Sequence, residues 1–261
     1  MSLVFSKEGQ NVAVIVDNPT YKNTIISKTT DEAEKSFKSF QLKTGTFQPI
    51  PDYNSERSVN FICGASGSGK SRYICEWGKQ YKAKYKKNPI YVFSSLSKDE
   101  SLEPLKPMRI ILDEQFVKEP IDLKMYENSL CIFDDTDTIA DKKIKERVYT
   151  LMNMILNTGR HHKISVFCVN HQPTGTKTET KVVLNEAHCI TIFPANFNRQ
   201  MLYLLENYCS VDKKEFKFLD SLGSRWITFY KTYPQCVVLQ KHILMRSELN
   251  LLDEKAKNAF S

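Results

Sequence analysis

The sequence predicts an α/β fold, in which a mostly parallel central sheet is flanked by helices and preceded by a small β-containing extension. Short apolar runs of strand length alternate with longer amphipathic segments from Ser58 onward, and this alternation is typical of parallel strands joined by helices. A glycine-rich loop directly follows the first of these runs. Of the 261 residues, 41% are hydrophobic and 26% are charged, as in folded globular domains.

We expect residues 1–56 to form the N-terminal extension and residues 57–261 to form the main domain. Residues 11–16 and 23–27 have the composition of strands, and the residues between them favour a turn. The two prolines within residues 48–51 indicate a linker into the main domain.

Compact apolar runs predict the strands of the main domain. They cover residues 58–63, 90–94, 108–112, 129–134, 164–169 and 189–193. The segments between them have helical periodicity, most clearly residues 70–86 and 144–155. Near the C-terminus, residues 225–230 and 236–240 predict a hairpin, and residues 247–260 predict a final helix.

Residues 64–71 match the pattern GxxxxGK[ST] between a predicted strand and a predicted helix, which is the context that a phosphate-binding loop requires. Lys70 would contact the β- and γ-phosphates of a nucleotide, and the Ser71 hydroxyl would ligate Mg²⁺. A Gly/Ser-rich turn that only caps a helix needs neither residue at these positions. The motif therefore predicts a P-loop NTPase that binds ATP and Mg²⁺, with phosphate contacts from Gly64, Ala65, Ser66, Gly67, Ser68, Gly69, Lys70 and Ser71.

Two adjacent carboxylates follow the apolar run at residues 130–133. Asp134 would hold Mg²⁺, and Asp135 would polarise the attacking water during hydrolysis. The alternative is a carboxylate pair that caps the next loop, where Asp137 adds turn character.

Two further polar positions flank the predicted strand at residues 164–169. Gln172, with Asn170 as second choice, could sense the γ-phosphate or orient water. The alternative is a polar strand end that leads into a loop, because a single glutamine on a loop is common. Arg160 follows a glycine that ends the preceding helix, and no acidic residue lies between positions 150 and 181 except Glu179. An arginine there could complete the nucleotide site of a neighbouring subunit, or it could simply be a cation favoured by the helix dipole.

The net charge of +7 favours a polyanionic partner but does not identify it. Basic clusters occur within residues 79–87, 142–147 and 213–217. Of these, Lys142, Lys143 and Lys145 follow the acidic strand end most closely, so they are the candidates for contact with a DNA backbone. A solvated helix face is the alternative for all three clusters.

The seven cysteines form no CxxC pair and lie mostly in apolar segments, which indicates buried thiols in a reducing compartment. The five histidines show no zinc-site spacing with them. No apolar run is long enough to span a membrane, and the first residues lack the pattern of a secretion signal. We therefore expect a cytoplasmic protein.

Three blocks occur in order: GASGSGKS at residues 64–71, LCIFDD at 130–135 and GRHHKISVFCVNHQPTG at 159–175. Together they resemble the FtsK/HerA-type P-loop ATPases, which have a RecA-like fold, and especially the poxvirus-type genome-packaging ATPases of large DNA viruses. The resemblance implies that Asp134 holds the metal, Asp135 is the catalytic acid and Gln172 is the sensor. It also implies a trans-acting arginine, for which Arg160 fits the third block better than Arg199 or Arg225.

The same resemblance implies a function. Such a protein would be an ATP-hydrolysing DNA translocase that packages a viral double-stranded DNA genome into a capsid. Its partners would be double-stranded DNA, further copies of itself in a ring of five or six subunits, and capsid proteins. It would act in the viral factory of the host cell or in the virion. The alternatives are a small-molecule kinase, although residues 173–181 lack the arginine of a kinase lid, and a nucleotide-gated scaffold without turnover.

Overall fold

The computed structural model describes residues 1–31, 35–173 and 178–249. These residues form two compact units. One contains Glu56–His188, and the other combines Met1–Ser55 with the chain from Cys189 onward. The domain boundary expected between residues 56 and 57 stays a prediction.

The strands alternate with helices only in the middle of the chain. In chain order the strands are β1 (Ser2–Phe5), β2 (Gln10–Val16), β3 (Ile25–Thr29), β4 (Ser36–Phe37), β5 (Ser39–Gln41), β6 (Thr46–Pro49), β7 (Val59–Cys63), β8 (Ile90–Ser94), β9 (Met108–Ile111), β10 (Leu130–Phe133), β11 (Ser165–Asn170), β12 (Cys189–Ile192), β13 (Ile227–Tyr230), β14 (Cys236–Leu239) and β15 (His242–Met245). The helices are α1 (Lys70–Lys84), α2 (Glu114–Lys118), α3 (Lys142–Thr158), α4 (Thr178–Glu186), α5 (Arg199–Leu204) and α6 (Lys213–Ser221). Among the described residues, no helix is both long and apolar enough to cross a bilayer.

The unit Glu56–His188 contains a parallel sheet with the strand order β9-β8-β10-β11-β7. Strands β7, β10 and β11 are buried along their whole length, as expected for a parallel sheet that is covered on both faces. Because these strands run in the same direction, the loops after β7, β10 and β11 lie at one edge of the sheet. The α/β fold class is confirmed, and so are the strands predicted within this unit.

Helices α1 and α3 pack their apolar faces inward. Helix α1 buries Ile74, Trp77 and Tyr81, in agreement with the sequence periodicity. Helix α3 begins at the N-cap Asp141, whose carboxylate accepts a hydrogen bond from the Ile144 amide. At the other end of α3, the Arg57 guanidinium donates hydrogen bonds to two carbonyl oxygens of the last turn.

The second unit is antiparallel. Its first sheet has the order β4-β1-β3-β2-β6, and β12, β13, β14, β15 and β5 pair in that order. The segment at residues 48–51 differs from the expected linker, because Thr46–Pro49 pairs with β2 and Ile50 is buried. The strands of the expected C-terminal hairpin, β13 and β14, pair in antiparallel register. The predicted helix at residues 247–260 lies outside the described residues beyond Leu249.

Candidate nucleotide-binding site

The glycine-rich loop connects the end of β7 to the start of α1. The Gly64 amide donates a hydrogen bond to the Asn170 carbonyl at the end of β11 (3.3 Å), so the loop starts against the neighbouring strand. Gly67 (φ 73°) and Gly69 (φ 109°) adopt left-handed conformations that side chains disfavour. Apart from its chain neighbours, no heavy atom of the described residues lies within 4 Å of the position that a Cβ would take at Gly67.

The Lys70 side chain folds back over this loop. Its Nζ donates hydrogen bonds to the carbonyl oxygens of Gly64 (2.8 Å) and Ala65 (3.3 Å). The same atom lies 3.9 Å from Asp135 Oδ1. Lys70 is buried, and Ser71 follows it in the first turn of α1. The ammonium therefore links the glycine-rich loop to the loop after β10.

Asp134 is a buried carboxylate at the end of β10. Its Oδ2 accepts a hydrogen bond from the Ser94 hydroxyl at the end of the adjacent strand β8 (3.4 Å). Burial raises the pKa of Asp134 to about 6, and the negative charges of Asp135 and Asp99 add to this effect. Lys70 and Ser94 oppose the rise in the pKa. A cation beside Asp134 would favour its ionised form further.

Asp135 is half-buried and adopts a left-handed conformation (φ 50°). Its Oδ1 lies 3.9 Å from Lys70 Nζ and 3.4 Å from His171 Nδ1. Burial raises the pKa of Asp135, while Lys70 and His171 lower it and the charge of Asp137 raises it. Although Asp134 and Asp135 are adjacent in sequence, their carboxylates contact different partners.

Asp137 joins the loops after β10 and β11. Its Oδ2 accepts hydrogen bonds from the backbone amides of His171 (2.9 Å) and Gln172 (3.2 Å). Its own carbonyl accepts a hydrogen bond from Lys145 Nζ on α3 (3.0 Å). This residue therefore fixes the backbone at the candidate sensor and ties it to the basic end of α3.

The structure brings together most of the residues that the sequence singles out. The glycine-rich loop, Asp134, Asp135 and the backbone of residues 170–172 lie at one edge of the sheet. Asn170 is buried and holds the loop through its carbonyl, whereas the Gln172 side chain is exposed. Sequence patterns predict no role in the site for Ser94, Asp99, Asp137 or His171. For His171 a signal existed, since it stands between the two candidates Asn170 and Gln172.

Arg160 lies on the surface just after α3, with a side chain that is 76% exposed. Its Nε lies 3.5 Å from Oε2 of Glu56, an acidic partner from outside residues 150–181. Glu56 precedes β7 and is far from Arg160 in sequence, so local inspection of the chain did not find it. The other two candidates belong to the second unit. Arg199 begins α5 and Arg225 precedes β13.

Only some of the basic side chains at the start of α3 point into solvent without a contact to a backbone carbonyl. Lys142 is 85% exposed and lies 3.9 Å from Glu146. Lys143 is also exposed. Lys145 contacts the Asp137 carbonyl, and the Arg147 guanidinium donates to the Glu119 carbonyl. Lys142 and Lys143 thus carry the charge that this surface presents to solvent.

A strand, a glycine-rich loop and a helix, with an acidic strand end beside them in a parallel sheet, define a P-loop NTPase fold. No protein-family profile matches the chain. It is 37% identical over 205 residues to the uncharacterized protein V3 of Sputnik virophage. The matched segment covers 78% of this chain and 83% of V3. The chain therefore belongs to the family of the virophage protein V3.

Solved structures with a similar fold include viral and bacterial ATPases. The DNA-packaging ATPase B204 of Sulfolobus turreted icosahedral virus is 15% identical with a TM-score of 0.49, and the match covers 72% of this chain and 98% of B204. The cytoplasmic domain of the Thermomonospora curvata type VII secretion ATPase EccC is 11% identical with a TM-score of 0.49, and the match covers 78% of this chain and 28% of EccC.

Proposed function

We propose that this protein is an ATPase that uses hydrolysis to translocate double-stranded DNA and package a viral genome into a capsid. The observation that carries the ATPase part is the position of Lys70. Its ammonium is held by the glycine-rich loop, 3.9 Å from an acidic group at the end of β10. The resemblance of the three sequence blocks to packaging ATPases supports the translocase part. Membership of a family with a virophage protein supports the viral setting.

The glycine-rich loop would bind the ATP phosphates. Its backbone amides precede α1, where the helix N-terminus adds partial positive charge, and the described residues leave the space beside Gly67 open. Lys70 would exchange its contacts with the carbonyls of Gly64 and Ala65 for contacts with the β- and γ-phosphates. This exchange would also withdraw the ammonium from Asp135.

Ser71 and Asp134 fit a Mg²⁺ ion, because hydroxyl and carboxylate oxygens are the hard ligands that this ion prefers. The raised pKa of Asp134 supports this role, since a buried carboxylate that is costly to ionise gains from a nearby cation. When bound, the ion would neutralise charge on the phosphates during transfer.

Asp135 would orient and polarise the attacking water, while Gln172 would sense the γ-phosphate. Arg160 would stabilise charge at the site of a neighbouring subunit, and its high exposure is compatible with contact to a second chain. That role requires an oligomer, and the resemblance to the packaging ATPases implies a ring of five or six copies. The exposed Lys142 and Lys143 would contact the DNA backbone, and capsid proteins would anchor the ring in the viral factory or the virion.

Phosphate release with and without long duplex DNA tests the proposal. The wild-type chain should hydrolyse ATP, and DNA should accelerate turnover. Lys70→Ala should abolish hydrolysis and weaken ATP binding, because the phosphate charge loses its buried cation. Lys79→Ala is the matched control, since Lys79 lies on the same helix but is exposed and pairs with Glu76.

Three outcomes would contradict the proposal. A hydrolysis rate that is the same with and without duplex DNA would refute the proposed DNA translocation. Phosphate transfer to a small molecule without release to water would indicate a kinase. ATP binding without turnover would indicate a nucleotide-gated scaffold.

A further inference from the structure

Three potential metal ligands converge beside Lys70, apart from the proposed Mg²⁺ ligands. They are Asp135 Oδ1, Asp137 Oδ1 and His171 Nδ1, and all three atoms lie within 4.8 Å of one another. His171 Nδ1 is 3.4 Å from Asp135 Oδ1 and 3.9 Å from Asp137 Oδ1. These separations are too long for good hydrogen bonds.

Each of the three atoms is buried and lacks a hydrogen-bond partner among the described residues. Buried polar atoms are almost always paired, because an unpaired one costs free energy, so three such atoms at one point indicate a ligand. The second carboxylate oxygen of Asp137 accepts from the amides of His171 and Gln172, which fixes the direction of its free oxygen. The Asp137 ligand is therefore held in place before any metal binds.

We propose that Asp135, Asp137 and His171 bind a divalent transition-metal ion of the Zn²⁺ type, in addition to the Mg²⁺ that accompanies ATP. An imidazole nitrogen with two carboxylate oxygens suits ions such as Zn²⁺ or Co²⁺ better than Mg²⁺, which prefers oxygen ligands only. Ligands at about 2.1 Å from a tetrahedral ion stand roughly 3.4 Å apart, so only a small closing movement is needed. Water would complete the coordination.

The ion would act as an inhibitor of hydrolysis, and this part of the inference rests on the proposed function. A metal-bound Asp135 cannot polarise the attacking water. Lys70 competes with the ion, because its ammonium lies 3.9 Å from the same Asp135 oxygen. Binding of the ion at Asp135 is therefore weakened while the Lys70 ammonium stays in its nucleotide-free position.

The test is a titration of the nucleotide-free full chain with Co²⁺, followed by visible absorption. We expect bands typical of a four-coordinate ion that disappear when Zn²⁺ is added. His171→Asn and Asp137→Asn should each weaken Co²⁺ binding about 10-fold or more. His161→Asn is the matched control, because His161 is exposed and lies outside the cluster. Equal Co²⁺ affinity in wild type and His171→Asn would overturn the site.

Loss of Co²⁺ binding in those variants could also result from misfolding, so a second test uses Lys70→Met, which keeps all three ligands. Removing the competing ammonium should tighten Co²⁺ binding by about tenfold. An affinity that does not rise would remove Asp135 from the ligand set. The seven cysteines are buried and free, so a thiolate-to-cobalt band would also contradict the assignment.

An activity assay separates this inference from the proposed function. With MgATP in excess, Zn²⁺ should inhibit phosphate release by wild type and by His161→Asn, and His171→Asn should need about tenfold more Zn²⁺ for the same fractional inhibition. Co²⁺ binding without any hydrolysis would refute only the proposed ATPase. Hydrolysis without Co²⁺ binding would refute only the metal site.

Discussion

Replacing Asp134 by asparagine should stabilise the nucleotide-free protein at neutral pH. Burial raises the pKa of Asp134 to about 6, from about 3.9 in an unfolded chain. The folded state therefore binds the proton more tightly than the unfolded state, so ionisation of this group opposes folding. The penalty is small near pH 4, grows as the pH rises, and is complete above the folded pKa. A difference of about two pKa units corresponds to about 3 kcal/mol.

Asparagine has the shape of the protonated acid and carries no charge, so Asp134→Asn should remove this penalty. We expect its free energy of unfolding to exceed that of wild type by about 3 kcal/mol at pH 7.5 and by about half as much at pH 5. Urea denaturation at both pH values measures this difference. Asp31→Asn is the control, because Asp31 is exposed, and it should change little at either pH.

Loss of stability in Asp134→Asn at pH 7.5, or a gain that does not grow with pH, would refute the reasoning. The first result would mean that the hydrogen bond from Ser94 to the charged carboxylate outweighs the cost of burial. Addition of MgATP should reverse the order of stability, since the ligand stabilises only a protein that binds it.

Three further outcomes are expected. Asp135→Asn should still bind ATP in a nucleotide titration, but its phosphate release should fall by about 10² or more, and normal turnover would remove its catalytic assignment. Arg160→Ala should reduce turnover in assembled rings, whereas Glu56→Ala, which removes the same ion pair, should not; equal losses would make the ion pair structural. Joint replacement of Lys142 and Lys143 by glutamine should flatten the dependence of DNA affinity on salt, and an unchanged slope would return both lysines to the solvated surface.

The parallel sheet could be predicted because its strands are uninterrupted apolar runs between helices of clear periodicity. The limits of β8 and β10 lie within one residue of the expected runs. The short strands β1, β4, β5 and β6 were not predicted. Each has four residues or fewer and is paired by a distant segment, as β5 is by β15, so no local pattern specifies it.

The site shows the same division between local and distant information. The glycine-rich loop and the acidic pair follow from contiguous residues with fixed chemical roles. The partners of those residues do not, because Asp137 meets His171 only through the order of β10 and β11 in the sheet. For the same reason Glu56 was missed as the neighbour of Arg160.

In the proposed translocase, the connections of Asp137 would link the nucleotide site to the DNA-contacting lysines. Its carboxylate holds the backbone of Gln172, and its carbonyl holds Lys145, two residues beyond the exposed Lys143. A change at the γ-phosphate that moves the Gln172 backbone must therefore stretch or shift a contact to α3. This connection consists of Asp137 alone, whose side chain binds the loop after β11 and whose backbone carbonyl binds Lys145 on α3. Coupling would need no large movement of the sheet, because the loops after β10 and β11 already share this carboxylate.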